Sequence, residues 1–290
     1  AEATNAAYGA LTGRAPTEEP MFPLSIFELR FAADPRGCLV AVDDTGPVNG
    51  PVNDPANGPV NGAVIGALFS VARASMGWFG PLAVRPEHQR EGVAEALVAE
   101  CLGIWNDRDL RLTGLETLPD AGSHLQFFER LGFRPAWTGI ALRGPAWEHG
   151  MPAGVETGGR MPDLDFVYPA LDVYGEAVAT TTQGAGQVLT TDDGVAIVHW
   201  DSVGVPDAGF VPFLAARTRN SFDRLLGAAE HLVHHHGKEQ LVVRTSGSAW
   251  PTLDALAARG YRTTGACIRL KAGEEVDYDR GEKFYVDSWL

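Results

Sequence analysis

The chain has 290 residues, 45% of them hydrophobic, and a formal net charge of −14 with only three lysines. That is enough apolar material for two cores of ordinary domain size. An acidic chain without a basic patch excludes nucleic acid and anionic membrane surfaces as expected partners; a neutral or cationic partner suits it better, and a homodimer is allowed. Cys38, Cys101 and Cys267 are an odd, widely spaced set. They read as small hydrophobes in a reducing compartment, not as a disulfide frame or a metal site. No apolar run reaches the length that spans a bilayer. Residues 1–21 lack the basic start and apolar middle of a signal peptide, so the expectation is a loose arm on a cytoplasmic protein.

Residues 22–33 (FPLSIFELRFAA) predict a short amphipathic helix, ended by Asp34-Pro35-Arg36-Gly37, and residues 38–42 (CLVAV) a buried strand. Residues 46–62 repeat a Pro-Val-Asn-Gly unit. Its turn-forming residues supply no core, so it reads as a loop joining two strands of a hairpin. Strands are expected over 63–73 and 76–84, a helix over 92–105 and a strand over 110–118. A helix over 124–131 follows, with Ser123 as N-cap and Gly132 closing it, then a strand over 133–142. Residues 146–165 are rich in Gly and Pro and read as a linker. Beyond it come helical character over 166–178, strands at 195–200 and 209–216, a helix over 221–236, a strand at 240–245, a helix over 249–258 closed by Gly260, a strand at 261–270 and an edge strand at 284–290.

The two halves lie over each other. Leu82-Ala83-Val84-Arg85 matches Leu214-Ala215-Ala216-Arg217, and Leu131-Gly132-Phe133-Arg134 matches Arg259-Gly260-Tyr261-Arg262. A tandem duplication is the simplest account; an unrelated α+β partner domain is the alternative. The expected class is α/β (α+β), with two domains at 22–145 and 166–290, each a mixed, mostly antiparallel sheet flanked by helices.

One stretch carries chemistry. In LAVRPEHQREGVAEAL (residues 82–97) a strand ends at Val84, Pro86 stops it, and the apolar period changes to that of a helix with Val93, Leu97, Val98, Cys101 and Leu102. A helix start with a glycine before it offers unscreened N–H groups and the positive end of the dipole, which together make an anion site. The pattern Gln89-x-x-Gly92-x-Ala94 after Leu82-Ala83-Val84 resembles the pyrophosphate loop of the GNAT superfamily of N-acetyltransferases, which bind acetyl-CoA. HLQFFERLGFRP (residues 124–135) resembles that superfamily's second CoA-contacting motif. The resemblance covers residues 22–143 and implies acetyl transfer from acetyl-CoA to a primary amine of a small molecule or peptide, in a ternary complex and without a metal. It implies that Gln89, Arg90, Glu91, Gly92, Val93, Ala94 and Glu95 hold the pyrophosphate. Leu82, Ala83 and Val84 would line the pantetheine arm and thioester, and the Val84 N–H would polarise the acetyl carbonyl.

The sequence departs from the family where a Tyr often serves as general acid: that slot is Phe128. An Asn often found earlier in the motif is Ala121. Glu116, near the end of its strand, is the expected general base; His124 and His88 are weaker candidates, His124 because it opens a helix. The missing Tyr leaves room for other CoA-thioester chemistry (hydrolysis, decarboxylation, transfer to a thiol) and for a non-catalytic CoA-binding module. In the second half the counterpart of Gln89–Ala94 is Ser221-Phe222-Asp223-Arg224-Leu225-Leu226, which has no glycine and an acidic residue, so no CoA is expected there. That half is expected to shape the acceptor pocket or act as a scaffold, with Tyr168, Tyr174, Tyr285 or Trp289 as side chains that reach across. His231 and His235 have metal-ligand spacing, but no acidic or Cys partner accompanies them and they read as a solvated helix C-terminus.

Overall fold

The computed structural model describes residue 4 and residues 23–43, 51–54, 58–119, 121–148, 150–201, 207–273 and 283–288. The expected N-terminal arm, apart from residue 4, lies outside them, as does Trp289.

Helix α1 (Leu24–Ala33) leads into β1 (Cys38–Asp43), which pairs antiparallel with β4 (Ala63–Arg73), as the hairpin reading expected. Within the intervening repeat, β2 (Pro51–Asp54) and β3 (Gly58–Asn61) form a two-stranded sheet of their own, with Val52 opposite Val60. The plain-loop reading missed these strands: the repeated unit places a β-branched valine inside each. Then come β5 (Met76–Val84), α2 (Val93–Asp107), β6 (Leu112–Thr117), α3 (Gly122–Arg130) and β7 (Arg134–Pro145). The second half has β8 (Glu156–Thr157), α4 (Tyr174–Thr182), β9 (Gly186–Thr191), β10 (Gly194–His199), β11 (Ala208–Ala216), α5 (Arg219–His235), β12 (Gln240–Ser246), α6 (Trp250–Ala258), β13 (Arg262–Gly273) and β14 (Phe284–Asp287). Helical periodicity is expected over 166–178, but the helix begins at Tyr174, and Leu164, Val167, Tyr168 and Leu171 before it are core.

Among the described residues the two halves share one twelve-stranded sheet in the order β1-β4-β5-β6-β13-β7-β12-β11-β10-β9-β8, with β14 on β11. Only β5·β6 and β11·β12 are parallel. Two separate sheets were expected. Instead each repeat gives the strand after its Gly-aromatic closure to the other: β13 pairs with β6, and β7 pairs with β12. β7 and β13 also pair with each other, Arg134 opposite Lys271 and Arg143 opposite Arg262. Equivalent positions lie 128 residues apart in both pairs, so the crossing is symmetric and a local twofold relates the repeats. Both repeats also close the helix that precedes β7 or β13 alike, with Phe133 N–H bonded to Phe128 O and Tyr261 N–H to Leu256 O, each 3.0 Å.

Three apolar clusters hold the layers. On one face of the first half, Leu97, Val98, Cys101 and Trp105 of α2 meet Leu68, Phe79, Leu115 and Phe128. Leu97, Val98 and Cys101 belong to the helical stripe read from sequence, and Trp105 continues it. On the second half, Phe222, Leu225, Leu226 and Val233 of α5 pack on β10–β12. The third cluster lies between the halves: Met76, Trp78 and Leu112 meet Ile197, Phe213 and Tyr285, with Leu164, Val167, Tyr168 and Leu171 between them. The stretch after the expected linker is therefore part of the core.

Candidate active site

β5 and β6 run parallel and bonded only from Met76↔Leu112 to Phe79↔Leu115. Beyond that point they part. On its other side β5 stays on β4, with a register slip between Leu68 and Ser70 opposite Gly80 and Pro81. Pro81 has no N–H to give to a ladder, which suits it to an interruption. Past the slip, Arg85 N–H bonds Ile65 O at 2.8 Å, while Val84 stands opposite Gly66. In an antiparallel ladder bonded and non-bonded pairs alternate, so Leu82 and Val84 direct their N–H and C=O groups away from β4, into the fork. The Val84 carbonyl accepts from Gln89 Nε2 at 3.2 Å. Gln89 thus ties the loop that follows to the strand that precedes it. The fork presents inward-facing backbone N–H groups along one wall and β6 as the other.

At the top of the fork the chain makes a short 3₁₀ turn (Pro86–His88) and then α2 begins at Val93. Gly92, the N-cap, has φ +84°, a left-handed conformation that disfavours any side chain, and a Cβ there would meet nothing within 4 Å. Among the described residues no side chain caps this end of α2. The first N–H groups of a helix have no intrahelical partner, so those of Val93, Ala94 and Glu95 are left for a ligand. Arg90, Glu91, Gly92 and Glu95 are exposed, Val93 and Ala94 half-buried. His88 lies in the loop and pairs with Glu91 at 3.2 Å.

The other predicted residues fall in two places. Phe128 is buried in an aromatic cluster, 5.9 Å from Phe79, 5.0 Å from Phe127 and 6.2 Å from Phe133 between ring centroids. His124 stands half-buried one turn earlier on the same side of α3. Glu116 is the first residue of β6 past its last pair with β5, and its side chain is only 3% exposed. One carboxylate oxygen accepts from Arg269 Nε at 2.9 Å, the other from an Arg244 terminal nitrogen at 3.1 Å. Taking a proton there would cost a charge-assisted hydrogen bond. This geometry speaks against Glu116 as the general base. The partners were invisible locally, lying more than a hundred residues away. Gly139 makes the space: a Cβ on it would come within 2.4 Å of Cys267 Sγ and crowd the Arg269–Glu116 pair. Burial pushes the Cys267 thiol up to about 12, and those of Cys38 and Cys101 likewise.

The second half repeats the fork and fills it. β11 and β12 are bonded from Ala208↔Gln240 to Val211↔Val243 and then part. Into the gap comes β14, antiparallel on β11 from Ala216↔Phe284 to Phe213↔Asp287, extended by Ser288 N–H to Pro212 O at 2.9 Å. Tyr285, Val286 and Asp287 are fully buried. The loop is absent too. Helix α5 starts at Arg219, two residues after the strand-end Arg217, and Thr218 caps it by accepting from Ser221 N–H at 3.3 Å. Ser221–Leu226 were expected to stand where the first loop is; they are helix interior, and Asp223 binds Arg219 at 2.8 Å. Of the side chains expected to reach across, Tyr168 and Tyr285 are buried between the halves and Tyr174 is 64% exposed.

Residues 34–135 match the family model of the acetyltransferase (GNAT) domain. The first half is a GNAT acetyltransferase domain. GNAT enzymes use an acyl-CoA donor and act on amine acceptors. The fold recurs along the whole chain in a presumed acetyltransferase from Pyrococcus horikoshii, 15% identical with a TM-score of 0.68, over 99% of this chain and 89% of that one. A tandem GNAT protein from the clavulanic acid biosynthesis pathway is 17% identical with a TM-score of 0.50, over 94% of both chains. A GCN5-related glucosamine N-acetyltransferase region of a fungal multi-domain GH3 β-N-acetylglucosaminidase is 15% identical with a TM-score of 0.58, over 93% of this chain and 36% of that one. No curated protein matches the sequence. Among the described residues no helix is long and apolar enough to cross a membrane.

Proposed function

We propose that the protein transfers an acetyl group from acetyl-CoA to a primary amine of a small molecule or peptide, at the fork of the first half alone. The observation that carries this is the pairing of an open fork with an uncapped, glycine-led helix start at its mouth. The residues suit acetyl-CoA. The pyrophosphate lies on the N–H groups from Arg90 to Glu95, with Gly92 leaving clearance, and the pantetheine arm runs down the fork beside Leu82, Ala83 and Val84. Bound there, acetyl-CoA supplies an activated thioester.

The arm enters at the loop, so the thioester lies towards the fork's vertex. Of the two inward N–H groups, that of Val84 is nearer the loop and that of Leu82 nearer the vertex. The resemblance implies the Val84 N–H as donor to the acetyl carbonyl; this position in the fork assigns that role to the Leu82 N–H beside it. A donor aimed at the developing oxyanion is worth about 3 kcal/mol. Glu116 holds the opposite wall, and the amine's proton leaves through water. His124, one turn from Phe128 on the same helix face, takes the part of the missing tyrosine towards the leaving thiolate.

The test is release of free CoA thiol from acetyl-CoA across a panel of amines, with and without amine. Amine-dependent release that is lost in Gly92→Glu supports the reading. Release without any amine points to hydrolysis, and no binding of acetyl-CoA by titration calorimetry refutes it.

A further inference from the structure

A buried ionic cluster sits where the two repeats cross, and acetyl transfer as proposed does not use it directly. Its centre is Arg269 of β13, fully buried. Its Nε donates to Glu116 at 2.9 Å. One terminal nitrogen donates to both Asp287 carboxylate oxygens at 3.0 and 3.2 Å, and the other to the Asp287 main-chain oxygen at 2.8 Å. Arg244 supplies the second cation, 3.1 Å from Glu116. The set balances: two carboxylates, two guanidiniums.

Two features make the cluster more than a core salt bridge. First, it breaks the repeat symmetry. Glu116 and Arg244 occupy equivalent positions, 128 residues apart like the paired ends of β7 and β13, yet carry opposite charges and bind each other. The equivalent of Arg269 is Ala141, which has no charge to give. The clamp therefore acts towards the first fork only. Second, it joins two particular points. Glu116 begins the stretch of β6 that has left β5 and, among the described residues, is held in the sheet by β13 alone, opposite Arg269. Asp287 ends the strand that fills the second fork.

We infer that Arg269 is a positioning residue for the acyl-CoA cleft: anchored by Asp287 of the filled second fork, it fixes Glu116 and so sets the wall of the open one. This rests on the proposed CoA site, and it gives the second half a role in donor binding that needs no ligand of its own. Uncoupling Asp287 lets the β6 end relax into the fork, where it meets the pantetheine arm but not the phosphate loop.

Two ligands separate the effects. Acetyl-CoA occupies loop and fork; adenosine 3′,5′-bisphosphate carries no arm and reaches the loop only. Titration calorimetry on the full chain, wild type against Asp287→Asn, should show affinity for acetyl-CoA falling roughly tenfold while that for the bisphosphate is unchanged. Equal acetyl-CoA affinity in the two proteins would overturn the inference, and so would a parallel loss for both ligands, the mark of general loosening. Should Asp287→Asn not fold, Glu116→Gln carries the same test with the same expected split. Wild-type protein that binds no acetyl-CoA would overturn the proposed function and the inference with it; wild-type binding without the split overturns the inference alone.

Discussion

Val84 and Ala216 hold the same place in the two repeats, five residues beyond the last bonded pair of a parallel fork, and among the described residues only Ala216 has a strand on its fork side. Arg217 N–H bonds Asp193 O at 3.0 Å just as Arg85 N–H bonds Ile65 O, so both residues turn their backbone groups into their forks. In the first repeat no strand of the described residues lies against those groups. In the second they face Phe284. One duplicated element has become a donor site and its twin a groove filled by its own chain.

Filling the second fork makes β14 a structural element. Val286 is fully buried against the cluster of Phe222, Leu225 and Leu256. Val286→Asp puts a carboxylate there without a partner and should cost about 3 kcal/mol or more in urea denaturation. It should not create a second CoA site, because α5 offers a capped helix start where the first repeat has its loop. A near-neutral substitution would show that β14 leaves the fork easily.

His124→Gln tests the acid. If His124 protonates the departing thiolate, kcat falls roughly a hundredfold with acetyl-CoA affinity unchanged. An unaltered kcat assigns proton delivery to water. Phe128 offers no substitute, since its ring is enclosed by three other phenylalanines.

His199 gives the fold a pH dependence. Its Nε2 lies 2.8 Å from Thr180 Oγ1, whose one proton goes to the Glu176 carbonyl, so Nε2 carries the imidazole proton and donates. Burial pushes the pKa of this ring down from 6.5 to about 4. The unfolded chain gains a proton near 6.5 and the folded chain only near 4. Between those values the unfolded state holds more protons, so stability falls as pH drops through this window and is level above it. The full difference is about 3 kcal/mol. Chemical denaturation of wild type and His199→Gln at pH 7.5, 6 and 5 should show the wild type losing ground relative to the variant as pH falls. Parallel curves would contradict the account.

Much of this was legible in the sequence because local signals carry it. The change of period at Val84, Pro86 and Gly92 marked strand, turn and helix where they occur. The Gly-aromatic closures at Gly132-Phe133 and Gly260-Tyr261 exposed the repeat. What stayed hidden depends on partners. Alternation in 133–142 and 261–270 says that these segments are strands; it does not say that each pairs with the other repeat. Glu116 looked like a free strand-end carboxylate because Arg244 and Arg269 are far along the chain. Ser221–Leu226 align with Gln89–Ala94 in sequence, but Thr218 caps a helix that starts at Arg219, so no loop stands there.

The most direct measurement is the stoichiometry of acetyl-CoA binding by titration calorimetry, on wild type and on Gly92→Glu. One equivalent per chain, abolished by the substitution, is the expected result. Two equivalents, or one that survives Gly92→Glu, would contradict a single donor site at the open fork.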